Sequence, residues 1–276
     1  MLAVYKGKNM FYNAKNGMVQ IDNTEMDYIA FGYGKKNVIL IPGLGDGLRT
    51  VRGMAFPFAY MYREYAKEYR VYVFSRKKVL EEGYTTRDMA RDMKIAMKKV
   101  GIEKADIIGV SQGGMIAQYI AIDYPEIVKK LVLAVTVPKS NEIIENVVGT
   151  WIEWAKQDRY KDIQIDTAEK MYTEEYLRKN RWMYPILGSV GKPKDFSRFL
   201  IMANACLTHN AYEELGKIQM PCLVIGAKQD KVVGGEASRE IVAKIPGSQL
   251  YMYQEYGHGV FDEAKNFNPI IREFIE

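Results

Sequence analysis

The hydrophobic residues of this chain recur with two different periods along its length. Short, almost wholly apolar runs bounded by Gly, Pro or Asn are typical of buried strands. Such runs predict strands at 10–12, 26–31, 37–41, 71–74, 106–110, 131–137, 222–227 and 249–253. Apolar residues spaced by three or four positions predict helices that begin at 86 and that cover 112–124, 235–245 and 263–275. A threonine, a residue favoured as an N-cap, precedes the first of these helices.

Strands and helices alternate over most of the chain, and this alternation predicts the fold class. Parallel strands need a crossover connection, usually a helix, and the helices then cover both faces of the sheet. The first two predicted strands differ, because the turn-like Asn16-Gly17 divides them, and we expect them to pair antiparallel. The sequence therefore predicts an α/β fold with a mostly parallel, doubly wound sheet.

The alternation is interrupted between 139 and 217, where no strand is predicted. Short amphipathic helices are predicted there instead, broken at Pro185, Gly188, Gly191 and Pro193. We interpret this stretch as an inserted helical cap. The predicted domains are thus an α/β core formed by 1–138 and 218–276, and a cap formed by 139–217.

Composition and charge narrow the functional classes. The chain has 276 residues, of which 48% are hydrophobic and 26% charged, so it can bury a sizeable core. The net charge is +5, with Lys and Arg scattered along the chain, which argues against a nucleic-acid surface. The longest apolar run, 131–137, is far shorter than the roughly 20 residues of a membrane span. Two cysteines, Cys206 and Cys222, and a start without a secretory leader lead us to expect a cytoplasmic protein with reduced thiols.

The pentapeptide Gly109-Val110-Ser111-Gln112-Gly113 stands between a predicted buried strand and a predicted helix. A serine on so sharp a turn is forced towards positive φ, and its neighbours two positions before and after must be nearly free of side chain. Gly109 and Gly113 meet that demand. We therefore predict that Ser111 is a nucleophile.

A serine hydroxyl needs a base within hydrogen-bond reach, and histidine is the usual one. The chain has two histidines, of which His258 follows the last predicted strand and His209 lies in a helical stretch near the end of the cap. Side chains beyond the carboxyl ends of parallel strands collect at one edge of the sheet, which favours His258. Asp230 follows the strand 222–227 and is the expected acid partner of the histidine. We expect His209 to lie on a helix surface or to pack in the cap.

With these residues the chain resembles α/β-hydrolase-fold enzymes with a helical cap, of the esterase, lactonase and haloperoxidase-like kind, over nearly its whole length. The resemblance rests on the serine pentapeptide, on Pro221 to Asp230, and on Gly257-His258 with Glu263 and Phe267-Asn268 behind it. It implies that Ser111 is the nucleophile, Asp230 the acid and His258 the base. It also implies an oxyanion hole formed by the backbone N–H groups of Leu44 and Gln112.

Two segments depart from the family pattern. Pro42-Gly43 stands where many members have His-Gly, and the segment 75–80 replaces the frequent Asp-x-Arg-Gly-x-Gly. Both departures bear on the shape of the pocket and therefore on the subfamily. Asp46, in the same glycine-rich loop as Leu44, is expected to shape that turn, with a contact to substrate as the alternative.

The predicted function is two-step acyl transfer from an ester, lactone or thioester of a small, largely apolar substrate. We expect no cofactor and no metal, because the histidines and cysteines lack ligand-type spacing. The cap tryptophans, Trp151, Trp154 and Trp182, are expected either to line the pocket or to pack the cap against the core. Aminopeptidase, carbon–carbon hydrolase and acyltransferase activities stay open, as does a ligand-binding protein with vestigial chemistry. Glu142, Glu145 and Glu153 would hold the amine of a peptidase substrate, and the sequence leaves open whether the chain forms a homodimer.

Overall fold

A twisted sheet forms the centre of the protein. The computed structural model describes residues 12–188 and 190–276, and this part of the chain contains an eight-stranded sheet with the order β1-β2-β4-β3-β5-β6-β7-β8. β1 pairs antiparallel with β2, and β2 with β4, whereas all other neighbours are parallel. The strands are β1 Lys15–Ile21, β2 Thr24–Phe31, β3 Lys36–Ile41, β4 Tyr69–Lys77, β5 Ala105–Val110, β6 Val128–Ala134, β7 Cys222–Ala227 and β8 Gln249–Tyr253. The predicted fold class is confirmed.

Helices cover both faces of the sheet. The α-helices are α1 Ala55–Met61, α2 Thr86–Lys99, α3 Gln112–Asp123, α4 Glu142–Lys156, α5 Tyr160–Met171, α6 Glu174–Asn180, α7 Tyr184–Leu187, α8 Ser197–Leu207, α9 Ala237–Lys244, α10 Val260–Glu263 and α11 Phe267–Ile275. Side chains of α2, α3 and α9 pack in the core on one face. Side chains of α1 and α11 pack in the core on the other face. None of the helices in the described ranges is long and apolar enough to cross a bilayer.

The strand order reverses between β3 and β5. From β3 the chain passes to β4 on one side, and then returns to the other side to form β5. In open α/β sheets such a switch point leaves a crevice beyond the carboxyl ends of the two strands, where ligands bind. The loop that begins at Pro42 and the turn at Ser111 leave β3 and β5 at this crevice.

The first hairpin differs from the sequence prediction. The predicted strand 10–12 lies outside the described residues except for Tyr12, which is in a turn. Asn16 and Gly17 are not a turn but part of β1, where Gly17 leaves room for a tyrosine ring: an added Cβ would lie 2.2 Å from Tyr28 Cζ. The turn is at Asp22, whose φ of +50° an aspartate tolerates better than most residues.

Three other elements have shifted or altered bounds. β6 ends at Ala134 rather than 137, because Val135 adopts φ +42° and turns the chain. The predicted last helix is interrupted after α10 and resumes at Phe267. β4 extends beyond 74 through Ser75, Arg76 and Lys77, which are polar but buried.

Helices α4 to α8 lie between β6 and β7, in the stretch predicted to be the cap. A single antiparallel bridge between Lys139 and Asn210 joins the two ends of this insertion. The Ser140 N–H donates to the His209 carbonyl at 2.9 Å, and the Ala211 N–H donates to the Pro138 carbonyl at 2.8 Å. The predicted domain limits at 138/139 and 217/218 stay a prediction.

Candidate active site

Ser111 occupies a strained turn between β5 and α3. Its backbone has φ +56° and ψ −121°, a conformation that non-glycine residues rarely adopt. Its N–H donates to the Ala134 carbonyl at 2.9 Å, and its carbonyl accepts the Thr136 hydroxyl at 2.7 Å. Glycine is required at 109 and 113 because other backbone atoms lie very close to these positions. A Cβ on Gly113, for example, would lie 1.9 Å from the Ile41 carbonyl oxygen. Neighbouring strands therefore hold the serine in place from both sides.

His258 and Asp230 are joined by a short hydrogen bond. His258 Nδ1 lies 2.8 Å from Asp230 Oδ2, and both side chains are almost fully buried. The other carboxylate oxygen of Asp230 accepts the N–H groups of Val232 at 2.8 Å and Val233 at 2.9 Å. A carboxylate so held accepts a hydrogen bond from the Nδ1–H group of the ring, which leaves Nε2 as the proton acceptor. The pair can therefore act as an oriented general base.

Two backbone N–H groups close to Ser111 have no hydrogen-bond acceptor within a helix. Leu44 is the first residue of a 3-10 turn, Leu44–Gly47, and Gln112 is the first residue of α3. The first N–H groups of a helix have no intrahelical acceptor. Among the hydrogen bonds of residues 12–188 and 190–276, neither N–H has a protein acceptor. A Cβ on Gly43 would lie 3.3 Å from Ser111 Cβ, so the loop and the serine turn are adjacent.

A buried arginine connects the two segments that carry these N–H groups. Arg76 Nη2 donates to the carbonyl of Pro42 at 2.5 Å and to that of Gly43 at 3.5 Å. The same nitrogen donates to Gln112 Oε1 at 3.1 Å. Since C=O and N–H point in opposite directions in a trans peptide, a guanidinium on the Gly43 carbonyl turns the Leu44 N–H the other way. Burial lowers the pKa of Arg76 to about 10, so it stays charged at neutral pH.

Asp46 is held by two arginines. Its Oδ2 accepts a hydrogen bond from the backbone N–H of Arg76 at 2.9 Å and one from Arg198 Nη2 at 2.5 Å. Arg198 comes from α8 and also donates to the carbonyls of Asp46, Arg76 and Lys77. These contacts support the expectation that Asp46 shapes its loop. Arg198 was missed at the sequence level, since 152 positions separate it from Asp46 and no local pattern links them.

Ser111 and His258 line one cavity of about 400 Å³. Leu44 and Asp46 line it as well. No hydrogen bond of the described residues joins Ser111 Oγ to His258, and such bonds are often long before substrate binds. Asp230 lies behind His258 at the back of the site. The structure thus brings together Ser111, His258 and Asp230, the three residues predicted to react.

The tryptophans of the predicted cap differ in their surroundings. Trp151 lines the cavity, and its Nε1 donates to Asp166 Oδ2 at 2.7 Å. Trp154 does not line it and packs against the Arg159 guanidinium, while Trp182 is 70% exposed. Of the three tryptophans predicted to line the pocket or to pack the cap, one therefore lines the cavity. The acidic residues considered for a peptidase, Glu142, Glu145 and Glu153, are exposed and do not line this cavity.

His209 and the cysteines are buried away from the cavity. The His209 ring contacts Thr86 Oγ1 at 2.9 Å and Gln118 Oε1 at 3.3 Å. Burial lowers its pKa from 6.5 to about 3, so the ring is neutral. Cys206 Sγ accepts Gln112 Nε2 at 3.0 Å, and burial raises its pKa to about 12. Within the described ranges, no group of three His, Cys, Asp or Glu side chains is arranged to hold a metal ion.

Comparisons with known proteins agree with this geometry. A family model described as alpha/beta hydrolase fold matches residues 36–265. The chain is 26% identical over 263 residues, 88% of each chain, to the 2-hydroxy-6-oxononadienedioate/2-hydroxy-6-oxononatrienedioate hydrolase of Paraburkholderia phymatum. The fold is similar to that of MGS-M2, an alpha/beta hydrolase enzyme from a Medee basin deep-sea metagenome library, with TM-score 0.82, 20% identity and coverage of 94% of this chain and 97% of that one. It is also similar to that of the enol-lactonase from Burkholderia xenovorans LB400, with TM-score 0.79, 17% identity and coverage of 94% and 99%.

The family match spans all the segments that form the site, from β3 to the loop of His258. The switch point, the strained serine turn and the buried histidine–aspartate pair all lie inside it. This match supports the broader part of the functional prediction, namely that the protein is a hydrolase. The chain belongs to the alpha/beta hydrolase fold family.

Proposed function

We propose that this protein is a serine hydrolase that cleaves an ester, lactone or thioester of a small, largely apolar substrate. One observation carries the proposal: a serine at positive φ and the ring of a carboxylate-bound histidine line the same largely apolar cavity. Family membership supports hydrolysis as the reaction class. Ser111 is the proposed nucleophile, His258 the base and Asp230 the acid that orients it.

In the first step Ser111 Oγ bonds to the substrate carbonyl carbon, and His258 Nε2 takes the hydroxyl proton. The N–H groups of Leu44 and Gln112 stabilise the negative charge that develops on the carbonyl oxygen, and each such donor is worth about 3 kcal/mol of barrier. The bond to the leaving group then breaks, and His258 returns the proton to it. Water repeats the sequence on the acyl-enzyme and releases the acid, with Asp230 stabilising the charged ring in both steps.

A second candidate is carbon–carbon bond hydrolysis by the same residues. The similarity to the P. phymatum protein favours it, because that relative is named as a hydrolase of dienedioates, which carry a ketone and carboxylates rather than an ester. A dicarboxylate needs cationic partners in its pocket. Among the described lining residues Arg49 is the one Lys or Arg side chain, and it is exposed. The apolar lining is therefore better suited to the ester.

The test is hydrolysis of p-nitrophenyl esters by the native protein, Ser111→Ala and His258→Ala, with a 2-hydroxy-6-oxo dienoate offered in parallel. We expect ester turnover that falls by at least about 10⁴-fold in both variants. Ser248→Ala is the matched control, since that hydroxyl only bonds carbonyls near the end of α9. Turnover of the dienoate alone would support the second candidate. Absence of turnover and of covalent labelling of Ser111 would contradict both and favour a binding protein.

A further inference from the structure

The cavity extends from Ser111 into the interior of the protein. Its inner wall includes Leu40, Val73 and Ile108, from β3, β4 and β5. These residues lie on the face of the sheet that packs against α1 and α11, and at most 7% of each is exposed. The cavity therefore reaches the hydrophobic core on that face and does not end at the surface of the sheet edge.

Apolar side chains from two helices form the opposite wall. Phe58 comes from α1, and Phe267 and Ile271 come from α11. We define the core chamber by three strand residues and three helix residues: Leu40, Val73, Ile108, Phe58, Phe267 and Ile271.

Two polar side chains near the core chamber are bound to other groups of the protein. The Tyr65 hydroxyl donates to Asn268 Oδ1 at 3.2 Å, and Asp262 accepts the Tyr172 hydroxyl at 2.9 Å. Asp262 and Arg49 are exposed, which places them at the solvent side of the cavity. A ligand group inside the chamber therefore meets mainly hydrocarbon.

Protein cores are normally packed to the density of organic crystals, and space lined by apolar groups within a core is destabilising. Longer side chains at the wall positions would fill this space. A chamber that is kept open next to a nucleophile is best explained by a ligand group that occupies it. The lining selects a hydrocarbon group.

We infer that the core chamber binds the acyl chain of the substrate, an unbranched saturated chain of about six to ten carbons. This inference rests on the proposed ester hydrolysis. The core chamber is the inner part of a cavity of about 400 Å³, and since a water takes up about 30 Å³ in the liquid, the whole cavity holds roughly a dozen atoms of that size, including those of the ester group.

The order of the two chemical steps assigns the acyl side of the ester to the chamber. When the carbon–oxygen bond of the ester breaks, the alcohol departs with the proton from His258, while the acyl group stays bonded to Ser111 Oγ. If the alcohol lay in the chamber, it would have to pass the acyl group bonded to Ser111 in order to leave first. The group that remains attached is therefore the one that fits the chamber, and the alcohol lies towards the solvent.

The experiment measures kcat/KM for p-nitrophenyl esters from acetyl to tetradecanoyl, and for acetate esters of alcohols of the same lengths. We expect kcat/KM to rise about fourfold per added methylene of the acyl chain until the chamber is filled, with no such rise along the alcohol series. A rise along the alcohol series instead would overturn the assignment of the acyl chain.

Variants at the wall test the location. Val73→Phe and Ile108→Phe should each lower the ratio of kcat/KM for the octanoyl over the acetyl ester by about tenfold or more. Val79→Phe is the matched control, because Val79 follows the same strand but is 65% exposed, and its ratio should stay that of the native protein. Folded wall variants with an unchanged ratio would overturn the inference.

If either bulky variant fails to fold, Ile271→Val enlarges the chamber instead and should move the optimum to longer acyl chains. Binding of octanoate to Ser111→Ala, measured by calorimetry with and without Val73→Phe, separates the two proposals. Octanoate binding that Val73→Phe weakens, without any ester turnover by the native protein, would contradict the proposed function and keep the chamber. Ester turnover without any dependence on acyl length would contradict the chamber and keep the function.

Discussion

Arg198→Met is expected to destabilise the protein through Asp46. The substitution keeps an apolar stem of similar length but removes the guanidinium that bonds Asp46 Oδ2 at 2.5 Å. It also leaves three carbonyl groups without this donor. The Asp46 side chain is only 1% exposed, so its charge is largely desolvated and depends on partners within the protein.

The magnitude follows from the contacts that remain. Removing one partner of a buried ion pair costs about 3–5 kcal/mol. Arg76 still offers its N–H at 2.9 Å, with its guanidinium at 3.9 Å, so we expect the lower end, about 3 kcal/mol. For a chain of 276 residues that loss corresponds to a decrease in Tm of about 5 °C.

The assay is urea unfolding followed by circular dichroism, with Tm as a second readout. Arg178→Met is the control, because Arg178 is exposed on α6, and its change should stay within about 0.5 kcal/mol. Adding Asp46→Asn to Arg198→Met removes the uncompensated charge and should recover part of the loss. A free energy of unfolding for Arg198→Met within about 1 kcal/mol of the native value would refute the reasoning.

Three further predictions concern the serine turn, a glycine inside α4 and the buried histidine. Gly113→Ala places a methyl group 1.9 Å from the Ile41 carbonyl oxygen, so we expect a loss of about 2 kcal/mol or more in urea unfolding, together with lost ester turnover. Gly149→Ala, inside α4 with no atom within 4 Å of the added Cβ, should instead stabilise by about 0.5–1 kcal/mol. His209 has a pKa of about 3 when folded, so only the unfolded state takes up its proton as pH falls below 6.5. Between pH 7.5 and 5 this group should lower the free energy of unfolding by about 2 kcal/mol, and an equally steep pH dependence in His209→Gln would contradict this.

The strands of the site could be predicted because their sequences are wholly apolar. β5 and β7 are buried on both faces, so their patterns leave little alternative to a central strand. The serine turn was predictable because such a turn requires glycine two positions before and after the serine, even though the atom that excludes a side chain at 113 is the distant Ile41 carbonyl oxygen. Both kinds of element therefore have a short signature at fixed positions of the sequence.

The buried polar residues could not be predicted in the same way. Ser75 and Arg76 have the composition of a loop, and they belong to β4 because distant groups satisfy them: the Val51 N–H bonds Ser75 Oγ, and Pro42, Asp46 and Gln112 bond Arg76. The core chamber was missed for a different reason. A hydrophobic pattern shows which side chains face the core, but not which of them leave space unfilled.

The bridge between Lys139 and Asn210 brings the two ends of the insertion together, so that the insertion could be exchanged as a unit. Because the two ends of the insertion are hydrogen-bonded to each other, they join the rest of the chain at two points about 5 Å apart, the spacing of an antiparallel bridge. Any helical segment whose ends meet at that spacing could be grafted there without altering the order of the strands. Such a graft must still supply a cation for Asp46, as Arg198 does here. The buried charge of Asp46 thus constrains such a graft in addition to the backbone geometry.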